Sequence, residues 1–261
     1  MSKQLNANQS IEKGIRIIEV LAHSAGPLRL SQVAAAVDMP ASTVLRMLTA
    51  LIGCGYAYQE EGELKRYGLT MRFAYIGQMV AEHFSIRDIA HEYLARLAQE
   101  TGESCCLAVQ DGERVRYMDV VEAGQGLIAI RQRVGGTAMM HCTGSGKLFL
   151  SQYDEAALEA FVRAGNLRPL TPRTITQADA LRGELEHVRA QGYATDDEEC
   201  ESGMRCLAAP IRDAGGRIVA VLSLSGPVSR MDGERMESAL LPAVQRAAEA
   251  ISERVGGVQA G

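Results

Sequence analysis

Between Leu30 and Leu51 two short stretches of helical periodicity flank Asp38-Met39-Pro40, and this arrangement constrains the fold more than any other part of the chain. In the second stretch Val44, Leu48 and Leu51 recur at three- and four-residue spacing and define one buried stripe. Ser42, Thr43, Arg46 and Ala50 fall elsewhere on the surface, and they are small or hydrogen-bonding. Such a face suits a DNA major groove, because bulky side chains would hold the helix away from the base edges. Arg can reach in and donate a fork to guanine O6 and N7. An ordinary helical hairpin with a solvated face fits the same window equally well.

The flanking residues favour the first reading. After the second helix, Gly53-Cys54-Gly55 is a stop signal and Tyr56-Ala57-Tyr58-Gln59 reads as a strand. Glu60-Glu61-Gly62-Glu63 is a turn, and Leu64 to Leu69 returns as a second strand. Upstream, Ser10-Ile11-Glu12-Lys13 caps a helix whose Ile15, Ile18 and Leu21 share a face, broken at Gly26-Pro27. Helix, turn, helix and hairpin, with one more helix to close the core, is the order of a winged helix-turn-helix.

The remainder of the 261 residues is long enough for a second domain. No apolar run reaches transmembrane length, and the polar start Met1-Ser2-Lys3-Gln4-Leu5-Asn6 lacks the apolar segment of a signal peptide. A cytoplasmic protein with reduced thiols is the expectation, since six cysteines show no CxxC pair and no metal-finger spacing. The net charge of −5 argues against a nonspecific nucleic-acid coat, yet residues 1–80 carry eight basic against six acidic side chains. A mildly basic head on an acidic body suits a specific DNA binder.

Met71 to Phe84 reads as a helix with Phe73, Ile76, Val80 and Phe84 on its apolar side. That side covers either its own domain or the same helix of a second subunit. From Ser85 a helix runs to Glu100, followed by a hairpin of 104–110 with 114–121 around Asp111-Gly112. A strand is expected at Leu127–Arg131, a helix opening at Gly144, and helices at 155–164 and 177–191. A hairpin of 205–211 with 218–225 and a helix from about Gly233 to Arg254 complete an α+β domain around one sheet.

Gly144-Ser145-Gly146-Lys147 tempts towards a phosphate loop, but His141 stands at the required first glycine and Leu148 follows the lysine. Small residues at a helix start still leave backbone N–H groups free for an anion. Asp196, Asp197, Glu198 and Glu199 read mostly as a solvated acidic loop. Ser223 and Ser225 alternate on one strand face, as hydrogen-bonded core or as a polar pocket wall. Catalysis through Cys105, Cys106, Cys142 or His141 finds no base and orienting group at a recognisable spacing, and nothing fixes Asp196, Cys206 and His141 as metal ligands. No catalytic residue, metal or cofactor is expected.

Several motifs occur in a fixed order: Ser42-Thr43-Val44-Leu45-Arg46-Met47-Leu48, Gly55-Tyr56, Tyr67-Gly68-Leu69, His141-Cys142-Thr143-Gly144-Ser145-Gly146-Lys147, Gly192-Tyr193-Ala194, Gly203 to Ile211, and Leu222-Ser223-Leu224-Ser225-Gly226-Pro227. In this joint order the chain resembles the IclR family of bacterial transcription regulators. The resemblance implies a winged helix-turn-helix domain at 1–70, a linker and dimerisation helix at 71–84, and a GAF-like effector-binding and oligomerisation domain at 85–261. DNA contacts would fall to Ser42, Thr43, Arg46 and Met47, with Lys65 and Arg66 on the wing, because Glu60, Glu61 and Glu63 suit a minor groove poorly. Effector contacts would fall to Gly144, Ser145, Asp196, Cys206, Ser223 and Ser225, the first two offering N–H groups to a carboxylate. Phe73, Ile76 and Val80 would carry dimerisation.

The implied function is a ligand-responsive regulator, a homodimer or tetramer on a pseudo-palindromic double-stranded operator. A small metabolite, an organic acid by this reading, would modulate its affinity. RNA polymerase is a further candidate partner, and no membrane is involved. The alternatives are a DNA-binding protein whose second domain is only an oligomerisation scaffold, and an enzyme with an appended DNA-binding domain.

Overall fold

The computed structural model describes residues 9–62, 64–82, 85–123 and 132–256. They belong to two compact units, Met1–Phe84 and Ser85–Gly261. In the first, α1 (Gln9–His23), α2 (Leu30–Val37) and α3 (Ala41–Gly53) enclose a core of Ile17, Leu21, Val33, Val37, Val44, Leu48 and Tyr67. Asp38 ends α2 in the left-handed region at φ 51°, which turns the chain sharply into Pro40 and α3. A small antiparallel sheet of β1 (Leu28–Arg29), β3 (Arg66–Leu69) and β2 (Ala57–Gln59) closes the unit, and α4 (Arg72–Glu82) follows. β1 is too short for any alternation signal and was not foreseen.

Two expectations for this unit need correction. On α1 the inward residues are Ile17 and Leu21, while Ile15 is turned out and 49% exposed. Both stripes have helical spacing, and only the positions of Val33 and Val44 select between them. On α4 the Phe73 ring is half-buried against Tyr56, with centroids 5.0 Å apart, so it faces its own head. The exposed apolar stripe is Met71, Tyr75, Ile76, Met79 and Val80. Phe84 and Glu63 lie outside the described residues.

The second unit begins with α5 (Ile86–Thr101), capped by Ser85, whose hydroxyl accepts from Asp88 N at 3.2 Å. Its six-stranded antiparallel sheet has the order β6 (Thr137–Met139), β5 (Arg114–Val121), β4 (Ser104–Asp111), β9 (Ile218–Pro227), β8 (Met204–Arg212), β7 (Ala194–Asp197). Strand alternation sorts the side chains into two cores. Leu107, Leu207, Leu222 and Leu224 face α5 and α10 (Leu241–Gly256), against Leu94, Leu97, Val244 and Ile251. Cys106, Ala108, Ala208 and Val221 share the opposite core with α6 (Gly144–Leu150), α7 (Glu155–Arg163) and α8 (Ala178–Gln191). The unit is therefore α+β, with one sheet covered on both faces.

The continuous helix expected from Gly233 to Arg254 is interrupted. One turn, α9 (Gly233–Arg235), passes through a π segment at Met236–Leu240 before α10. Pro242 explains the change, since it lacks the N–H that would bond Ser238 and its ring crowds that carbonyl. Leu241 N–H reaches back to Met236 O instead. The strand expected at Leu127–Arg131 lies outside the described residues.

Candidate functional site

On the first unit, α3 exposes Ser42, Leu45, Arg46, Thr49 and Ala50, while Thr43 is half-buried. Met47 departs from the expected set, because it packs against the unit's core with Leu51 and Ile52. Thr49 has committed its hydroxyl to Leu45 O at 2.9 Å. Arg46 makes no side-chain hydrogen bond or ion pair among the described residues, so its guanidinium is available for a new acceptor. Lys65 is exposed at the foot of the β2–β3 hairpin with φ 35°, and Arg66 is half-buried on β3. In register, Arg66 opposes Arg29 of β1.

On the second unit a cavity of about 370 Å³ opens between the start of α6 and the β7–β8–β9 end of the sheet. Its wall includes Gly144, Ser145, Asp196, Cys206, Ser223 and Ser225. Sheet register explains how such distant residues meet. Asp196 pairs with Cys206, and Cys206 with Ser225, so the three form one row across three strands. The next row holds Ala208, Ser223 and Cys106. The Cys206 thiol and the Ser225 hydroxyl are 3.0 Å apart.

The short side chains in these rows let α6 approach the sheet closely. A Cβ on Gly144 would meet Ala208 Cβ at 3.0 Å, and one on Gly146 would meet Met140 backbone atoms at 2.2 Å. Thr143 caps α6, accepting from Gly146 N at 3.1 Å while donating to Met139 O at 2.8 Å. The first turn of a helix leaves the N–H groups of Gly144 and Ser145 without intrahelical acceptors.

Asp196 is only 2% exposed and corrects the picture of a solvated acidic loop. Its Oδ1 accepts from Glu199 N at 2.7 Å and from Cys200 N at 3.2 Å. Burial pushes its carboxyl up to about 6, against the lowering effect of those two N–H groups. Burial also raises the Cys206 thiol well above its ordinary value, with Asp196 adding to the effect. Cys206 is therefore a neutral hydrogen-bonding group near pH 7 and a poor nucleophile.

Beneath the cavity lies an ion cluster that sequence reasoning missed. Lys147 is 1% exposed and donates to Glu184 Oε1 at 2.8 Å, Thr195 O at 2.9 Å and Glu199 Oε1 at 2.5 Å. Burial alone would lower its pKa, but the Glu199 and Glu184 carboxylates outweigh that and raise it. Its ammonium is thus committed to protein partners and not to a phosphate. His141 is fully buried and holds Arg168 O through Nε2 at 2.9 Å, and it is not part of the cavity wall. Burial lowers its pKa, so it is neutral.

Tyr117, Gln132, Arg133 and Cys200 also line the cavity and were not foreseen. Gln132 accepts from the Cys106 thiol and donates to Tyr117 Oη at 3.4 Å. The available signal was Arg133-Val134-Gly135-Gly136, a turn pattern just before β6. Among the described residues no group of three His, Cys, Asp or Glu is placed to hold a metal ion, and no single helix is long and apolar enough to cross a membrane.

Comparison with known proteins adds an independent line. Residues 10–61 match the family described as the IclR helix-turn-helix domain, and residues 78–253 match "Bacterial transcriptional regulator IclR C-terminal". The chain is 31% identical over 248 residues to the HTH-type transcriptional regulator XynR of Escherichia coli, covering 95% of this chain and 97% of that protein. It is 32% identical over 253 residues to the acetate operon repressor of Salmonella typhimurium, covering 96% and 91% respectively. The solved structure of Thermotoga maritima IclR superposes with a TM-score of 0.62 at 32% identity, covering 96% of this chain and all of that one.

Proposed function

The chain belongs to the IclR family of bacterial transcriptional regulators, a DNA-binding helix-turn-helix domain joined to an effector-binding domain, and from that premise we propose how its residues divide the work. The observation that carries the proposal is the gathering of Gly144, Ser145, Asp196, Cys206, Ser223 and Ser225 around one cavity of about 370 Å³. Cavities of this order suit small-molecule ligands. Its wall of hydroxyls, a neutral thiol and one buried acid suits recognition rather than turnover. The effector is a small organic acid, for which the wall supplies hydroxyl and backbone N–H donors. The protein acts in the cytoplasm, and its second domain is neither a catalyst nor a mere scaffold.

On the DNA side, Arg46 reads a base edge, Ser42 and Thr43 lie beside it, and Lys65 and Arg66 hold the backbone. Met47, packed into the core, contributes at most the edge of its side chain. Binding-site selection tests this division. Arg46→Ala should cost about 1–3 kcal/mol and relax preference at one base pair, whereas Lys65→Ala should weaken all sequences about equally. An unchanged operator consensus for Arg46→Ala would remove that helix from the groove.

The domain boundaries follow as 1–70, 71–84 and 85–261, and the exposed stripe of α4 pairs with a second copy. Protein two-fold symmetry then calls for a pseudo-palindromic operator. Ile76, 37% exposed, and Val80, 57% exposed, are better targets than Phe73. Sedimentation of Ile76→Glu with Val80→Glu should give a smaller particle than wild type, with tight operator binding lost. An unchanged mass would assign assembly to other surfaces, including tetramer contacts.

A further inference from the structure

The charges around the cavity are unevenly placed. Asp196 lines its inner part, and behind that the single cation Lys147 is shared between Glu184 and Glu199. Among the described residues the inner end therefore offers a carboxylate neutral donors, the Gly144 and Ser145 N–H groups and the serine hydroxyls, but no uncommitted positive side chain. Arg133 is the only basic side chain lining the cavity among the described residues, and its guanidinium makes no hydrogen bond or ion pair with any of them.

Its position is built, not incidental. Gly136 N donates to Arg133 O at 2.9 Å, closing a turn whose third residue, Gly135, has φ 83°. A Cβ on Gly136 would stand 2.9 Å from Arg133 O, so the turn needs glycine at both places. Gly135 N and Gly136 O then bond the backbone of Tyr117 at 2.8 and 2.9 Å. On the other side, Gln132 is tied to Cys106 and to the Tyr117 hydroxyl. Arg133 thus presents, from a pinned backbone, a guanidinium without a partner among the described residues.

We propose that Arg133 is the anion-binding residue of the cavity and that the effector is a hydroxyl-bearing carboxylic acid, its carboxylate on Arg133 and its hydroxyl on the row formed by Asp196, Cys206 and Ser225. This rests on reading the cavity as the effector site, and it reverses the orientation in which the start of α6 would hold the carboxylate. The inner row accepts and donates hydrogen bonds without a cation, which is what a neutral hydroxyl requires. A cavity of about 370 Å³ has room for an acid of several carbons.

Titration calorimetry with three matched series of four to eight carbons tests it: ω-hydroxy acids, unsubstituted acids and diols. On wild type the hydroxy acids should bind about ten- to a hundredfold more tightly than either other series. Arg133→Ala should reduce the hydroxy acids to the affinity of the diols and leave the diols unchanged, with Arg133→Lys intermediate. Arg133 makes no side-chain bond among the described residues, so the variant should retain the wild-type melting temperature. Hydroxy-acid affinity within twofold of wild type in Arg133→Ala would overturn the proposal while leaving the effector site intact. Failure of every acid to bind wild type would overturn both.

Discussion

Lys147→Met is expected to destabilise the second unit by about 3–5 kcal/mol at pH 8, the usual result of removing one partner from a buried ion pair. The methionine fills the space of the lysine stem, but Glu199 and Glu184 are left without their shared cation. Burial already pushes the Glu199 carboxyl above its ordinary value with Lys147 in place, and losing the cation raises it further. A carboxylate raised in the folded state binds protons that the unfolded chain has released, so stability falls as pH rises through that gap. The deficit should accordingly be widest above neutral pH and narrow towards pH 5. Urea unfolding at both values reads it, and adding Glu199→Gln should recover much of the loss at pH 8. A deficit under about 1 kcal/mol at pH 8 would mean that water replaces the ammonium at little cost. The consequence reaches the cavity, because Lys147 ties α6 to Thr195 and Glu199, on either side of Asp196.

That cluster also marks where sequence reasoning stops. The α3 stripe of Val44 and Leu48 and the β8–β9 hairpin were legible because each depends on local periodicity and a nearby turn. The small residues of Gly144-Ser145-Gly146 were legible as a helix start. Lys147 was not, because a lysine beside glycines reads as a solvent or phosphate contact unless its partners 37 and 52 positions away are known. β7 was hidden for the same reason: Asp196 can be buried only because Glu199 and Cys200 supply backbone N–H groups. Arg133 carried no apolar pattern, and its placement depends on pairing between Tyr117 and the glycine turn. Resemblance singled out the residues proposed here as effector contacts, while register across β7, β8 and β9 gives the physical reason they meet.

Cys206→Leu combined with Ser223→Ala should abolish the effector response while leaving operator affinity without effector unchanged. The response arises only if the effector binds two conformations unequally, and linkage then obliges DNA to alter effector affinity by the same factor. Coupling of about 1–3 kcal/mol corresponds to a five- to hundredfold change in operator affinity, which an operator titration resolves. The leucine projects into the space beside Ser225, whose hydroxyl loses the thiol now 3.0 Å away, and the alanine removes a second polar group. Both rows remain paired through their backbones, so the sheet is retained. Asp196 adds a pH signature. Its carboxyl stands near 6, and an effector hydroxyl that accepts from it favours the protonated form, so binding takes up part of a proton. Effector affinity of the wild type should therefore fall as pH rises from 6 to 8, and Asp196→Asn should flatten that slope. A full response surviving the double substitution would make Cys206 and Ser223 packed core, with the signal entering elsewhere.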